Sequence, residues 1–205
     1  MNRRLYALHR WVSLFAFLQL GIWSASGLAF SLLPEASVKG ARVKGAHELP
    51  LSGSLEGLRS PGDILAVDST ITGIELRRGP AGPVYLVRAP SGLRRFDART
   101  GEPAPVTEDE AREVARRDQP GRPEIQTLAL LTAKPPIEYR DRPLPAWQVQ
   151  LADPAETMVY IDATSGEVTA RRTATWRLYD FLWVCTSWIT RDGRTSVTCS
   201  SRPPR

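Results

Sequence analysis

The sequence predicts an α+β protein in which one N-terminal transmembrane helix precedes two halves of antiparallel strands, each half with a packed helix. Three observations lead to this prediction. A long uncharged apolar run lies near the N-terminus, short apolar segments separated by turn residues follow it, and one turn motif occurs twice. The chain has 205 residues, which is enough for an anchor and one domain of ordinary size.

The N-terminal apolar run, residues 14–33, reads LFAFLQLGIWSASGLAFSLL and carries no formal charge. A helix of this length is about 30 Å long, which is the thickness of the hydrocarbon core of a bilayer. Trp11 precedes the run where an interfacial ring is expected, and Pro34 follows it. A cleavable signal peptide is the alternative, because small residues cluster at 24–29, although the run is longer than the apolar core of a typical signal.

Basic residues flank the apolar run unequally. Arg3, Arg4 and Arg10 precede it, whereas the first basic residue after it is Lys39. The positive-inside rule therefore predicts a cytoplasmic N-terminus and places the rest of the chain outside the cytoplasm. The net charge of +5 comes mostly from scattered Arg residues, without a basic helix or a basic–aromatic alternation, so we expect no nucleic-acid partner.

Residues 107–118 are predicted to form the best-defined helix of the domain. Thr107 and Glu110 have the spacing of a capping box, in which the Thr107 hydroxyl accepts from the amide of Glu110 and the Glu110 carboxylate accepts from the amide of Thr107. Acidic residues fill the first turn and arginines follow, as the helix dipole favours. The predicted helix has a narrow apolar face made by Ala111, Val114 and Ala115.

Short apolar or alternating segments predict the strands, and turn residues separate them. The predicted strands are 74–77, 84–87, 125–131, 146–152, 158–162 and 166–171. In one of them Trp147, Val149 and Leu151 share a face, which is the pattern of a strand with one buried side.

One turn motif occurs at two places in the chain. Phe-Asp-Ala-Arg-Thr-Gly-Glu at 96–102 resembles Ile-Asp-Ala-Thr-Ser-Gly-Glu at 161–167. In such a turn the Asp side chain can cap backbone N–H groups, and the Gly supplies a positive φ. We therefore interpret Asp97, Asp162 and Glu167 as turn residues rather than as catalytic acids or bases.

No motif of a catalytic or metal site stands out in the sequence. The chain lacks a nucleophile elbow, an HExxH motif, a P-loop and a paired-carboxylate signature, so we expect no catalytic site. Its two cysteines, Cys185 and Cys199, belong to no CxxC motif or Cys/His cluster, so we expect no metal site. Outside the cytoplasm these two cysteines could form a disulfide.

Four motifs together resemble the PepSY-associated transmembrane family. They are Leu-His-Arg-Trp at 8–11, Trp-x-Val-x-Leu at 147–151, Met-Val-Tyr-Ile-Asp-Ala-x-x-Gly-Glu-Val at 158–168 and Trp-Arg-Leu-Tyr-Asp-Phe-Leu-Trp at 176–183. The resemblance implies PepSY-type α+β folds that face the periplasm from the inner membrane of a bacterium. It also implies an accessory or binding protein without its own catalytic site, whose partners are the lipid bilayer and another membrane subunit or envelope protein.

With this resemblance the expected organisation has five parts. They are a cytoplasmic N-terminus and transmembrane helix at 1–33, a linker at 34–60, a degenerate first PepSY-like half at 61–105, a PepSY-like half at 106–172 and an atypical C-terminal segment at 173–205. The helix of the first half is expected around 54–66, where the sequence signals it poorly.

Two other functions follow from the resemblance. Some relatives with more helices are haem-bearing reductases in ferric-siderophore uptake, which makes His9 in the Leu-His-Arg-Trp motif a candidate haem ligand. A single histidine cannot hold a six-coordinate haem alone, and the alternative interpretation of His9 is an interfacial residue near Arg10 and Trp11. The other histidine, His47, falls in the linker. The family name also suggests a peptidase-inhibiting module.

The last 22 residues depart from the family pattern, which continues with a further His-bearing segment and a second transmembrane helix. Residues 184–205 contain no Leu, Ala or Glu, but they contain both cysteines and eight Ser or Thr. The partly apolar stretch at 176–189 is too short to span a bilayer as a helix. We hypothesise a reading-frame shift near residue 184, which would have replaced the second helix.

Overall fold

The chain is described here by a computed structural model, which covers residues 3–32, 56–65 and 70–186. The chain forms two compact units, Met1–Pro34 with Leu178–Arg205, and Glu35–Arg177. Most of the predicted linker, His47, Cys199 and nearly all of the tail whose reading frame is in question lie outside the described residues.

The first helix, α1 (Arg3–Leu32), has an apolar and almost wholly exposed surface. Phe17, for example, is 76% exposed. By length and composition α1 could cross a membrane, and no other helix in the described part of the chain meets that test. The predicted apolar helix is confirmed. It begins ahead of the apolar run because the residues from Arg3 to Arg10 include no Gly or Pro that would stop it.

The second unit begins with a three-stranded antiparallel sheet. A short helix, α2 (Pro61–Leu65), precedes the strands β1 (Gly73–Arg78), β2 (Pro83–Ala89) and β3 (Gly92–Asp97), which lie in the order β1-β2-β3. Side chains alternate between the faces of a strand, and on one face Tyr85 and Val87 of β2 form a buried cluster with Ile64 of α2. We call residues 56–104 the first repeat.

The second repeat, residues 105–172, has a longer helix and a four-stranded antiparallel sheet. Its elements are α3 (Glu108–Asp118), β4 (Ile125–Leu131), β5 (Ala146–Leu151), β6 (Met158–Asp162) and β7 (Val168–Arg172), with the strands in the order β4-β5-β6-β7. On one face of the sheet Ala111 of α3 packs with Val149 in a fully buried cluster. On the other face Tyr139, from a 3-10 helix in the β4–β5 connection, stacks on Tyr160 with 4.3 Å between the ring centroids.

The predicted capping box of α3 is confirmed. The amide of Glu110 donates to Thr107 Oγ1, and the amide of Thr107 donates to Glu110 Oε2, both at 3.3 Å. The apolar face of α3 also packs on the sheet as predicted, with Ala111 and Ala115 fully buried. α3 ends at Asp118, ahead of Gly121, whose φ is 80°.

The two copies of the turn motif have the same hydrogen bonds. Asp97 Oδ1 accepts from the amide of Thr100 at 2.8 Å, and Asp162 Oδ1 accepts from the amide of Ser165 at 2.7 Å. The glycines of the two motifs have φ of 75° and 78°. The turn role of both aspartates is therefore confirmed, and because the second turn is this tight, β7 begins at Val168 rather than at the predicted residue 166.

The repeat extends beyond the turn motif. The hydroxyl of Tyr85 donates to the carbonyl of Arg59 at 2.8 Å, and the indole N–H of Trp147 donates to the carbonyl of Val106 at 2.9 Å. In both repeats the accepting residue lies just before the helix, and its own amide donates to the alanine carbonyl of the turn motif. In each repeat, one aromatic side chain of the sheet thus holds the segment that leads into the helix by a hydrogen bond.

The last described helix, α4 (Ala174–Thr186), follows β7 directly. The side chain of Thr173 accepts from the amide of Trp176 at 3.1 Å, as an N-cap residue does. Within the first unit, the ring of Phe30 lies 4.6 Å from the ring of Tyr179. The described part of α4 has 13 residues, fewer than the roughly 20 that a helix needs to cross a bilayer.

Candidate functional site

A groove of about 470 Å³ lies between the first and second repeats. β1 and the turn after it form one wall, and α3 with the β6–β7 turn forms the other. All four residues from Glu75 to Arg78 line the groove, so it follows the length of β1. The charged lining side chains are Glu75, Arg77, Arg78, Arg95, Glu110, Arg117, Glu167 and Arg171, and the apolar ones include Val84, Val106 and Val114.

A buried ion pair beside the groove joins the two repeats. Arg95 of β3 donates from Nη2 to Glu110 Oε1 at 2.7 Å and from Nη1 to Glu110 Oε2 at 2.8 Å. The two side chains are 4% and 9% exposed, so each would be an uncompensated buried charge without the other. Because the contact is bidentate, it fixes orientation as well as distance, and it sets the first sheet against α3.

Glu110 is held in its ionised form by this environment. Burial by itself raises the pKa of Glu110, but the hydrogen bond and charge of Arg95 outweigh it, with help from the amides of Thr107 and Ala81. The pKa of Glu110 therefore lies below its ordinary value. The same carboxylate accepts from the amide of Thr107 in the capping box of α3 and from the amide of Ala81 in the turn after β1. With its bonds to Arg95, the Glu110 side chain thus joins α3, β3 and the β1–β2 turn.

At Gly79 the turn after β1 approaches the ion pair so closely that there is no room for a side chain at this position. A Cβ atom on Gly79 would lie 2.7 Å from Arg95 Nη2 and 3.3 Å from the carbonyl oxygen of Gly82. The guanidinium cannot easily move away, because both of its Nη atoms are bonded to Glu110. Glycine is therefore required at position 79 by the close approach of the two repeats.

A second ion pair connects the two walls nearer to solvent. Arg77 of β1 donates to Glu167 in the β6–β7 turn, and its Nε donates to Glu75 at 2.7 Å. The hydrogen bond from Arg77 lowers the pKa of Glu75. The Arg77 and Glu167 side chains are 34% and 55% exposed, so this pair contributes about 1 kcal/mol at most to stability.

A third ion pair places Arg171 on the groove wall. Asp118 is fully buried at the C-terminal end of α3, where the helix dipole disfavours a carboxylate. Arg171 of β7 compensates this carboxylate with bonds from Nε and Nη2. The pair attaches the C-terminal end of α3 to β7, the edge strand of the four-stranded sheet. Ion pairs of arginines thus fix the position of both groove walls.

The structure places His9, the candidate haem ligand, on α1. It is exposed, and its Nδ1 lies 3.5 Å from the hydroxyl of Ser13. The described residues include no other histidine and no group of three His, Cys, Asp or Glu side chains that could hold a metal ion. Haem ligation by His9 stays a prediction.

Sequence reasoning missed the groove and the ion pairs that hold its walls. Arg95 is separated from Glu110 by 15 positions and Arg77 from Glu167 by 90, so no local spacing pattern marks them as partners. Arg95 lies in β3 directly before Phe96, and successive side chains of a strand point to opposite faces, so the sequence pattern favours an exposed arginine there. The structure instead buries Arg95, because Glu110 compensates its charge.

Comparison with protein families matches residues 105–172 to PepSY, described as the peptidase propeptide and YPEB domain. The matched residues are the second repeat as the structure defines it. No curated protein and no solved structure matches the chain. The PepSY resemblance expected from the Trp-x-Val-x-Leu and Asp-Ala-x-x-Gly-Glu motifs is thus confirmed, and residues 105–172 of this chain are a PepSY domain.

Proposed function

We propose that this chain is a membrane-anchored accessory protein that binds a segment of another envelope protein in the groove between its two repeats. The observation that carries the proposal is the groove itself, which residues of the PepSY domain and of the first repeat line together. The proposal assigns the chain no catalytic site of its own.

The anchor and its orientation are the first part of the proposal. α1 has the length and composition of a membrane span, and its apolar side chains are exposed. Arg3, Arg4 and Arg10 lie at its N-terminal end, which by the positive-inside rule favours a cytoplasmic N-terminus. With that orientation both repeats would lie outside the cytoplasm of a bacterium, at its inner membrane.

The backbone of β1 supports an extended polypeptide as the ligand. The amide of Gly79 donates to the carbonyl of Gly82, which closes the β1–β2 hairpin. Alternation along an antiparallel pair then directs the N–H and C=O groups of Leu76 away from β2. Leu76 lines the groove, so a segment lying there can pair with β1 by strand addition.

The side chains of the groove favour a polypeptide of mixed character. Val84, Val106 and Val114 offer apolar contact, and ion-paired Arg and Glu side chains offer both signs of charge. The family description includes peptidase propeptides, so a peptidase is one class of partner that the proposal allows. In that case the chain would act as a peptidase-inhibiting module.

The proposal is tested by photo-cross-linking of the full chain in its own membrane. A photoreactive phenylalanine derivative replaces Arg78, which is exposed and lines the groove, or Arg88, which is exposed on β2 outside it. We expect a specific protein adduct from position 78 that position 88 does not give. Identical adducts from both positions, or none from position 78, would contradict binding in the groove. A peptidase in the adduct would select the inhibitory function.

A further inference from the structure

The strand edges of the two sheets differ in how they are closed to other strands. The outer edge of β3 is covered by the chain that follows it, since the amide of Asp97 donates to Glu102 and the amide of Ala104 donates to Arg95. The outer edge of β7 is closed by side chains. Arg142 donates to the carbonyl of Thr169 at 2.8 Å. An edge strand with unpaired N–H and C=O groups can pair with a strand of another chain, so these contacts protect β3 and β7 from such pairing.

β1 and β4 occupy equivalent positions in the two repeats, and the described residues form no further strand beside either of them. β1 carries Glu75, Arg77 and Arg78, and charge on an edge strand discourages unspecific pairing. β4, Ile-Gln-Thr-Leu-Ala-Leu-Leu, carries no charge, and its Leu130 is 45% exposed. β4 is therefore the least protected edge in the described part of the domain.

Hydrogen bonds in the neighbouring strands show which backbone groups of β4 are open. The amide of Leu151 donates to Thr157 on the β6 side, so alternate residues of β5 pair with β6 and the residues between them pair with β4. The register then directs Ala129 towards β5. The N–H and C=O groups of Leu128 and Leu130 point away from the sheet, into the open edge.

We infer that β4 pairs with β4 of a second copy of this chain, antiparallel and about a twofold axis at Ala129. In this register Leu128 of each copy lies opposite Leu130 of the other, so all outward donors and acceptors of both residues find partners. The two four-stranded sheets then become one continuous sheet. Leu130, exposed in the single chain, packs beside Leu128 of the other copy.

Charge favours a second copy over a charged strand, and the small area of the contact determines where the pairing can occur. An identical uncharged strand places no unpaired charge opposite the leucines, a condition that a charged strand such as β1 would not meet. One seven-residue edge pair buries less than the roughly 1,200 Å² of a stable interface. The pairing therefore depends on the high local concentration that a shared membrane gives, and in this respect it rests on the anchor proposed above.

Disulfide trapping tests this register in the full chain in membranes. In a background of Cys185→Ser and Cys199→Ser, Ala129→Cys places two cysteines on the twofold axis. Their Cα atoms are then about 4.5 Å apart, within disulfide range. Thr127→Cys, exposed on the same strand, is the matched control, because its two copies would lie roughly 14 Å apart.

We expect mild oxidation to give a covalent dimer with Ala129→Cys and none with Thr127→Cys. Adding Leu130→Lys to Ala129→Cys should abolish the dimer, since the exposed position tolerates the charge in the single chain but the paired edge does not. Equal cross-linking of both cysteines, no dimer, or a dimer that survives Leu130→Lys would overturn the inference. A disulfide to a different protein would also overturn it and would assign the edge to that protein. The readout involves β4 alone, so a failure here leaves binding in the groove untouched.

Discussion

The first repeat and the second repeat, which is the PepSY domain, close their turns with the same hydrogen bonds, but they differ in their helices and in the edge strands of their sheets. Asp97 and Asp162 cap equivalent turns, and Tyr85 and Trp147 fasten equivalent helix entries. Yet α3 has 11 helical residues with a complete capping box, whereas the described part of α2 has five. The same turn chemistry therefore closes a three-stranded sheet in one repeat and a four-stranded sheet in the other.

A buried ion pair joins the first repeat to the second. Glu110 of α3 binds Arg95 of β3 across the boundary between the repeats, so neither buried charge is left without its partner. The groove lies along this boundary, so the contact that sets the repeats against each other also shapes the candidate site.

The largest effect is expected from Glu110→Ala. It leaves the Arg95 guanidinium buried without its carboxylate, which should lower the free energy of unfolding by about 3–5 kcal/mol. Urea denaturation of the full chain in detergent measures the change. Glu113→Ala, on the same helix but in a partly exposed pair with Arg117, is the control and should cost at most about 1 kcal/mol. Equal losses for the two variants would contradict a dominant role for the buried pair.

The same ion pair predicts an acid-dependent loss of stability. The pKa of Glu110 is lower in the folded protein than its ordinary value of 4.5, so the stabilisation is complete above that pH and is lost as pH falls through the folded-state pKa. Asp97 and Glu75 also have lowered pKa values, so the comparison must be made against Glu110→Gln, in which only one carboxylate is removed. The urea midpoints of wild type and variant should converge in acid. A constant difference at all pH values would show that Glu110 does not titrate as described.

Gly79→Ala should come next in size. Its Cβ would lie 2.7 Å from an immobilised guanidinium nitrogen, and such overpacking costs about 1–3 kcal/mol. Gly82→Ala, in the same turn, is a matched control, because a Cβ there meets no atom within 4 Å. Thermal unfolding of the two variants makes the comparison. If Gly79→Ala were as stable as Gly82→Ala, the close approach of the repeats would be wrong.

Tyr85→Phe should remove about 1 kcal/mol, because it deletes one hydrogen bond to the carbonyl of Arg59 and leaves the ring in place. Trp147→Phe deletes the equivalent bond to Val106 and also removes part of a larger ring, so its loss should be greater. Differential scanning calorimetry of both variants would test the equivalence of the repeats. If Tyr85→Phe left the unfolding temperature unchanged, only the second repeat would depend on the hydrogen bond of its aromatic side chain.

Arg77→Ala should have the smallest effect, at most about 1 kcal/mol, because the pair with Glu167 is exposed. The difference from wild type should shrink at high salt, since ions screen exposed pairs. Denaturation at low and high ionic strength measures it. A large, salt-independent loss would mean that this contact, rather than Arg95 with Glu110, holds the repeats together.

Separation along the chain decides how much of this could be predicted from the sequence. The apolar run, the capping box and the Asp-Ala-x-x-Gly-Glu turns use residues within a few positions of one another, and their chemistry was readable. Glu110 was correctly predicted to pair with Thr107, three positions away, but its second partner, Arg95, is reached only when two sheets pack. The groove has no local signature for the same reason.

Binding of a partner in the groove should depend on both repeats, and photo-cross-linking measures this directly. The yield of the adduct from a photoreactive residue at position 78 is compared between Glu110→Gln and Glu113→Gln, with equal amounts of each protein in the membrane. We expect the adduct to be lost in Glu110→Gln and kept in Glu113→Gln. An undiminished adduct in Glu110→Gln would show that the partner binds without the ion pair that sets the first repeat against the PepSY domain.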